Sequence, residues 1–214
     1  AEPAGSLRRM RSTVGDLDIL VAAEDSAPVM DAVVNLPGVS RVLGKGETKV
    51  SIEFADGVRA QVWVHPPQRF GTALQYATGS KDHNVQLRQL ALDKGLSLSE
   101  HSFLNVKTKK EIFCATEEEV YKSLGLQWIP PELREGRDEI ALAKANQLPK
   151  LIEVKDIKSN LHMHSTYSDG ALSMLDMTKA AIKRGLQVIV FSEHSVSLGV
   201  ANGLSIERHK QQSA

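Results

Sequence analysis

From Gly15 to Ala23 the chain reads GDLDILVAA, with Asp16 and Asp18 on one side of a two-residue alternation and Leu17, Ile19 and Val21 on the other. A period of two commits this stretch to a strand with one polar and one apolar face. Side chains two apart on a strand point the same way, roughly 6.5 Å apart along the chain. Two carboxylates so placed can share a pair of divalent cations about 3.5–4 Å apart, the arrangement that drives in-line phosphoryl chemistry. Just upstream, Gly5-Ser6 forms a small-residue turn, followed by Arg8 and Arg9. Such a turn offers close-approach backbone and a hydroxyl to phosphate oxygens, and Arg9 offers a planar fork. An Asp-x-Asp pair by itself also describes an ordinary polar strand edge after a basic loop. The residues downstream decide between the two.

The composition is that of a globular chain. In 214 residues, 42% are hydrophobic and 24% charged, which predicts one or two domains. No apolar run approaches the ~18 residues of a membrane span, and no signal peptide is visible. A single cysteine, Cys114, excludes an internal disulfide and fits a reducing cytoplasm. Behind Ile112-Phe113 it reads as a small buried hydrophobe, not a nucleophile. With 26 basic and 26 acidic residues the formal net charge is zero, so any nucleic-acid contact must come from local patches. The chain opens at Ala1, almost on its first motif, the expectation being a piece of a longer protein.

Beyond the first strand, Ala27 to Leu36 reads as a short helix closed by Pro37-Gly38. Three β-rich pieces come next, 40–43, 48–54 and 58–65, with Asp56-Gly57 as a hairpin turn before the last. In that third piece Ala60, Val62 and Val64 alternate with Arg59, Gln61, Trp63 and His65. Its polar face is where a third carboxylate would complete a two-metal cradle beside Asp16 and Asp18, and the residue there is Gln61. Helices are predicted from Phe70 to Tyr76 and from Ser80 to Lys94, the second with Val85, Leu87, Leu90 and Leu92 as apolar positions and Gly95 as terminator. A glycine turn and Asn84 stand at the start of the second helix, where anions are favoured, and Asn84 and Arg88 share a helix face. Ser80 acting simply as an N-cap describes the same residues.

The order GSLRR, GDLDILV, YATGSKDHNVQLRQLA and LSLSEHSF resembles the palm and thumb of a family X DNA polymerase over about residues 4–126. The resemblance implies that Asp16 and Asp18 are catalytic and bind Mg²⁺ or Mn²⁺. It implies that Gly5, Ser6, Arg9 and Gly15 hold the triphosphate of a dNTP, and that Tyr76 and Gly79 form the sugar-binding turn. Asn84 would contact the nucleotide, and Arg88 and Lys81 the DNA, a gapped or primer–template duplex. The chain departs from the pattern at Gln61, which stands for the third metal-binding aspartate, and at Ala77, where an aromatic residue is expected. The lyase-like and fingers regions expected before the GS turn are also not seen.

Residues 97–126 read as the rest of an α+β thumb, with strands near Leu98 and Ile112 and a helix from Thr116. Glu117, Glu118 and Glu119 come directly after that N-cap and read as helix-start acids, not as a metal site. Lys107, Lys109 and Lys110 read as a solvated turn. Trp128-Ile129-Pro130-Pro131 marks a boundary, and Glu132 to Asn146 a charged, partly helical connector. The expected domains are therefore a nucleotidyltransferase palm over 1–77, a thumb over 78–128, a linker over 129–155 and a second domain over 156–214.

That second domain opens with a strand, Asn160 to Met163, carrying His162-x-His164 and then the loop Ser165-Thr166-Tyr167-Ser168-Asp169-Gly170. A helix from Ser173 to Arg184 leads to a strand, Gln187 to Phe191, which delivers Ser192-Glu193-His194 at its C-terminal end. Ligands at the C-terminal ends of parallel strands are the rule in α/β folds. Imidazoles with a carboxylate, here His162, His164, His194 and Asp169, suit Zn, Mn or Fe. With SLGVANGLS at 197–205, the stretch resembles the start of a PHP (polymerase and histidinol phosphatase) domain of the kind attached to bacterial family X polymerases. That implies part of a (β/α)7 barrel with Mn²⁺ or Zn²⁺, acting as a 3′→5′ exonuclease. Together the two halves imply a monomeric, cytoplasmic DNA-repair polymerase/exonuclease. The alternatives are a DNA-processing nuclease with a non-catalytic, DNA-binding polymerase-like half, and a small-molecule PHP phosphatase.

Overall fold

A computed structural model describes residues 1–213 and divides the chain into two compact units between Pro149 and Lys150. Ala214, the last residue of the expected 156–214 domain, lies outside the described residues. Among the described residues no helix is long and apolar enough to cross a membrane.

The first unit begins with β1 (Glu2–Pro3), α1 (Gly5–Arg8), β2 (Leu17–Ala22), α2 (Ala27–Val34), β3 (Val39–Lys45), β4 (Lys49–Phe54) and β5 (Arg59–His65). Its strands form one sheet in the order β1-β2-β5-β4-β3. Only β2 and β5 run parallel, and their register sets Asp18 opposite Gln61. The alternation expected in β2 and β5 is what gives the sheet two different faces. On one, Val50, Ile52, Ala60, Val62 and Val64 pack with Leu17, Ile19 and Val21 against Met30 and Val33 of α2. On the other, Leu20 packs with Ala4 and with Ala73 and Leu74. The Asp56-Gly57 turn is as expected, with Gly57 at φ +86° and the Asp56 carboxylate accepting from the Val58 N–H.

Ala73 and Leu74 belong to α3 (Phe70–Thr78), which precedes α4 (Lys81–Asp93), β6 (Leu96–Leu98), β7 (Phe103–Asn105), β8 (Glu111–Ile112), α5 (Glu117–Ser123) and α6 (Glu139–Ala145). Strands β6, β7 and β8 make an antiparallel sheet. Ser80 caps α4 by accepting from the His83 N–H, and Thr116 and Glu119 close a reciprocal capping box on α5. The core here joins Leu87, Ala91, Phe103, Cys114, Val120 and Tyr121, so Cys114 is the buried hydrophobe expected, and burial pushes its thiol up. Of the four apolar positions expected on α4, Leu87 is buried and Leu90 packs beside it, whereas Val85 and Leu92 are exposed.

Ile129 and Ala143 lie in this same core, and Arg134 and Glu139 are buried. Residues 129–149, expected as part of a connector, are therefore packed into the first unit. The physical reason is that their charges are paired inside it and need no solvent.

The second unit contains β9 (Ser159–Met163), α7 (Met174–Lys183), β10 (Val188–Phe191) and α8 (Ile206–Gln212). Strands β9 and β10 pair in parallel around the α7 crossover. Ser173 caps α7. This is the βαβ unit expected, but among the described residues its sheet has two strands, and no (β/α)7 barrel is formed.

Candidate active sites

In the first unit Asp16 immediately precedes β2, Asp18 lies within it, and Gln61 faces both from β5. The Gln61 amide Nε2 donates to Asp16 Oδ2 at 2.7 Å. Gly5, at the start of α1, has φ +59°, and a Cβ there would stand 2.2 Å from Asp18 Oδ2. Only glycine lets the α1 turn come this close to the carboxylate. Burial, and then the neighbouring Asp16 charge, raise the Asp18 carboxyl above its ordinary value, against the opposing pull of Lys49 and Arg9. Two acids crowded against a glycine turn, one of them held reluctant to ionise, form a site short of positive charge. A hard divalent cation with oxygen ligands fits it.

A cleft of about 560 Å³ opens over this pair, lined by Gly5, Ser6, Arg9, Asp16, Asp18, Trp63, Tyr76, Ala77, Thr78, Gly79, Lys81, Asn84, Val85 and Arg88. The structure thus gathers every residue expected at this site except Gly15. Gly15 lies on the far side of Asp16 and lines a separate depression with Asp56, Gly57 and Val58. Val85 is exposed because it faces the cleft. Arg9 is fixed by bonds from Nη1 to the Thr78 carbonyl (2.6 Å) and from Nε to Glu135 (2.9 Å). Asn84 is held on both sides: Oδ1 accepts from Gln75 and Nδ2 donates to the Tyr76 carbonyl. The Arg88 guanidinium lies over the Tyr76 ring at 5.4 Å.

Behind the cleft is a network that the sequence did not announce. Glu117 receives two hydrogen bonds from Arg8 at 2.8 Å and two from Arg134, and Arg8 also donates to Thr78 Oγ1. Burial alone would raise the Glu117 carboxyl, but the bonds from Arg134 and Arg8 overcome it and take it down to about 2. Neighbouring Glu119 makes the cap, so the acidic run divides between two jobs. Nothing in a Thr-Glu-Glu-Glu run separates Glu117 from its neighbours.

A second buried relay lies next to Asn84. His83 Nδ1 is 2.8 Å from Glu139 and Nε2 is 2.9 Å from the Tyr121 hydroxyl. Burial lowers the His83 pKa. A neutral ring donating from Nδ1 and accepting at Nε2 satisfies both contacts.

In the second unit, His164, Asp169 and His194 bring one ligand atom each within 4.8 Å of one another. Asp169 lies 3.6 Å from His164 Nδ1 and 3.5 Å from His194 Nε2. The His164 and His194 rings stack at 4.4 Å, and the His162 ring is 5.0 Å from His164. His162 is therefore beside the cluster but outside its tight group of three. His164 Nδ1 is buried without a hydrogen-bond partner. An orphaned imidazole nitrogen facing a carboxylate and a second imidazole fits a borderline cation such as Zn²⁺ or Mn²⁺.

A five-stranded sheet with a paired-carboxylate cleft, succeeded in the chain by a His/Asp cluster on a parallel βαβ unit, defines a chain of two different α/β parts, each with its own candidate site. Family models agree: the DNA polymerase beta thumb matches residues 73–135 and the PHP domain matches residues 160–206. The chain belongs to the bacterial family X DNA polymerases that carry a PHP domain. It is 42% identical over 211 residues to the DNA polymerase/3′-5′ exonuclease PolX of Bacillus subtilis (strain 168), covering 98% of this chain and 37% of that protein. It is 29% identical over 167 residues to rat DNA polymerase lambda, covering 61% of this chain and 28% of that protein. It is also 37% identical over 78 residues to human DNA-directed DNA/RNA polymerase mu, covering 36% and 16%. The chain thus spans about a third of the length of the first two curated relatives.

Proposed function

We propose that this chain processes DNA ends at two metal-dependent sites. The first is a nucleotidyltransferase palm built on Asp16 and Asp18, in which nucleotide addition is slow. The second is a PHP site, built on His162, His164, Asp169 and His194, that hydrolyses phosphodiesters at 3′ ends. The single observation that carries the reading is the Gln61 side chain, aimed at the carboxylate pair and hydrogen-bonded to Asp16.

At the palm, Ser6 and Arg9 would bind the triphosphate of an incoming dNTP, Tyr76 and Gly79 its sugar, and Asn84 its base. Arg88 and Lys81 would contact gapped or primer–template DNA. Bound Mg²⁺ or Mn²⁺ would supply charge neutralisation for the transferring phosphoryl group. Asp16 and Asp18 supply the anionic ligands. Gln61 adds an amide carbonyl without charge, and its NH₂ occupies an Asp16 lone pair that a carboxylate would leave free. It also cannot take the proton of a primer 3′-hydroxyl. Loss of one such group commonly costs several kcal/mol of transition-state stabilisation, with ~1.4 kcal/mol per tenfold in rate.

At the PHP site, Mn²⁺ or Zn²⁺ would polarise a phosphodiester, and the imidazoles and Asp169 would hold the cation. A polymerase-type half in the same chain favours DNA over a small phosphate ester as the substrate.

Primer extension on gapped DNA tests the first site. Gln61→Asp is expected to raise incorporation by orders of magnitude. Robust extension by the unsubstituted chain would show that another group supplies the missing carboxylate. If neither protein extends a primer but both bind gapped DNA, the palm is a binding platform for the nuclease site. For the second site, His164→Ala is expected to abolish Mn²⁺-dependent release of 3′ nucleotides.

A further inference from the structure

In the second unit the ligand cluster is only as good as the loop that carries it. His164 directly follows β9, Asp169 sits in the loop after it, and His194 lies three residues beyond the end of β10. Each has a neighbour in sequence that meets one carboxylate, that of Glu193. The Ser165 N–H donates to Glu193 Oε1 at 2.9 Å, and the Ser165 hydroxyl donates to the same oxygen. The Ser168 hydroxyl donates to Oε2. Gln212 Nε2, from α8, adds a bond to Oε1 at 3.1 Å. Ser165 is next to His164, Ser168 is next to Asp169, and Glu193 itself is next to His194. Ser165 and Ser168 are buried, and the turn between them is closed by a bond from the Ser168 N–H to the Ser165 carbonyl, which also accepts from the Gly170 N–H. A Cβ at Gly170 would stand 1.9 Å from the His164 carbonyl oxygen, so the loop has no slack.

We propose that Glu193 is the positioning residue of this site. Its carboxylate, by tying Ser165 and Ser168 to the end of β10, holds His164, Asp169 and His194 in reach of one divalent cation. The proposal rests on the metal-site reading of the three ligands. Glu193 is spent on serine hydroxyls and a backbone N–H and is not itself one of the converging ligands. A carboxylate is the right group because all four contacts are donors, one of them a backbone N–H that cannot turn round to accept. An amide keeps the shape but presents a donor where acceptors are needed. Partners that orient metal ligands typically carry 10- to 100-fold in metal affinity.

The test is Mn²⁺ binding, monitored by electron paramagnetic resonance of the free ion. The background carries Asp16→Asn and Asp18→Asn, so that only the second site takes up metal. Glu193→Gln and, separately, Ser168→Ala are expected to weaken Mn²⁺ binding about 10- to 100-fold, with far-UV circular dichroism of the metal-free protein unchanged. Asp169→Ala serves as the ligand-loss control. If the background protein binds no Mn²⁺, the metal-site reading falls and the proposal with it. If it binds Mn²⁺ and both variants bind equally well, the metal site stands and the positioning role is overturned. If Glu193→Gln fails to fold, Ser168→Ala decides: weakened binding upholds the role, and unchanged binding overturns it.

Discussion

Gly5 and Asp18 show how a single residue pair shapes the first site. At φ +59°, and with Asp18 Oδ2 2.2 Å from the place of a Cβ, Gly5→Ala meets both backbone strain and a clash. A destabilisation of about 1–3 kcal/mol is expected, measurable as a lowered urea midpoint. Asp18 gives the opposite sign. Its pKa is raised by burial and by Asp16, so its ionised form costs folding free energy at neutral pH, and that cost disappears as pH falls through the raised pKa. Asp18→Asn removes it at neutral pH. The metal-free variant is expected to melt about 2–4 °C higher while binding Mg²⁺ less well, and calorimetry with and without Mg²⁺ checks both. The convergence of Asp16, Asp18 and Gln61 was legible because alternation fixes which side chains share a sheet face. The place of Gly15 was not, because a glycine before a strand carries no side chain whose direction can be read.

At the scale of elements, the Arg8–Glu117–Arg134 network joins α1, α5 and the segment after the double proline. Arg134 is fully buried, so Glu117→Ala leaves an uncompensated charge inside the first unit. That is expected to cost about 3–5 kcal/mol, against about 1 kcal/mol for loss of the adjacent cap in Thr116→Ala. Urea denaturation of the two variants separates these values. The pH dependence comes from the sign of the shift. The Glu117 pKa falls from an ordinary 4.5 to about 2, so its stabilisation is complete above pH 4.5. It is lost as pH drops from there towards 2, a loss on the order of 3 kcal/mol. Urea midpoints measured between pH 6 and pH 3 are expected to fall, and to fall less steeply in Glu117→Gln. These contacts explain why residues 129–149 look like a connector in sequence and are not one. Arg134 and Glu139 belong to types that are almost never buried unless paired, and their partners, Glu117 and His83, lie too far away in sequence for local pattern to reveal them. The strands and helix caps, by contrast, are local features, and they were legible to within a few residues.

Taken whole, the molecule is two units divided between Pro149 and Lys150, with Ile152 84% and Val154 86% exposed just beyond the division. Limited trypsin digestion is expected to cut first at Lys150, Lys155 or Lys158, and mass spectrometry of the early fragments checks it. The partial barrel expected for the second unit came from family resemblance, and the described residues form a parallel sheet of two strands there. In the first unit, the parallel pairing of β2 with β5 has a kinetic consequence. Strands β3, β4 and β5 meet through short hairpins, whereas 45 residues separate Asp16 from Gln61. Local hairpins close cheaply, and a parallel pair must first bear the entropy of closing the long loop between its strands. The meander is therefore expected to form early and β2 to dock late, so that substitutions that loosen β2 against β5 speed unfolding and leave the refolding rate nearly unchanged, as stopped-flow unfolding and refolding rates would show. On that order the carboxylates and the glutamine are expected to come face to face late in the folding of this sheet, and to part early in its unfolding.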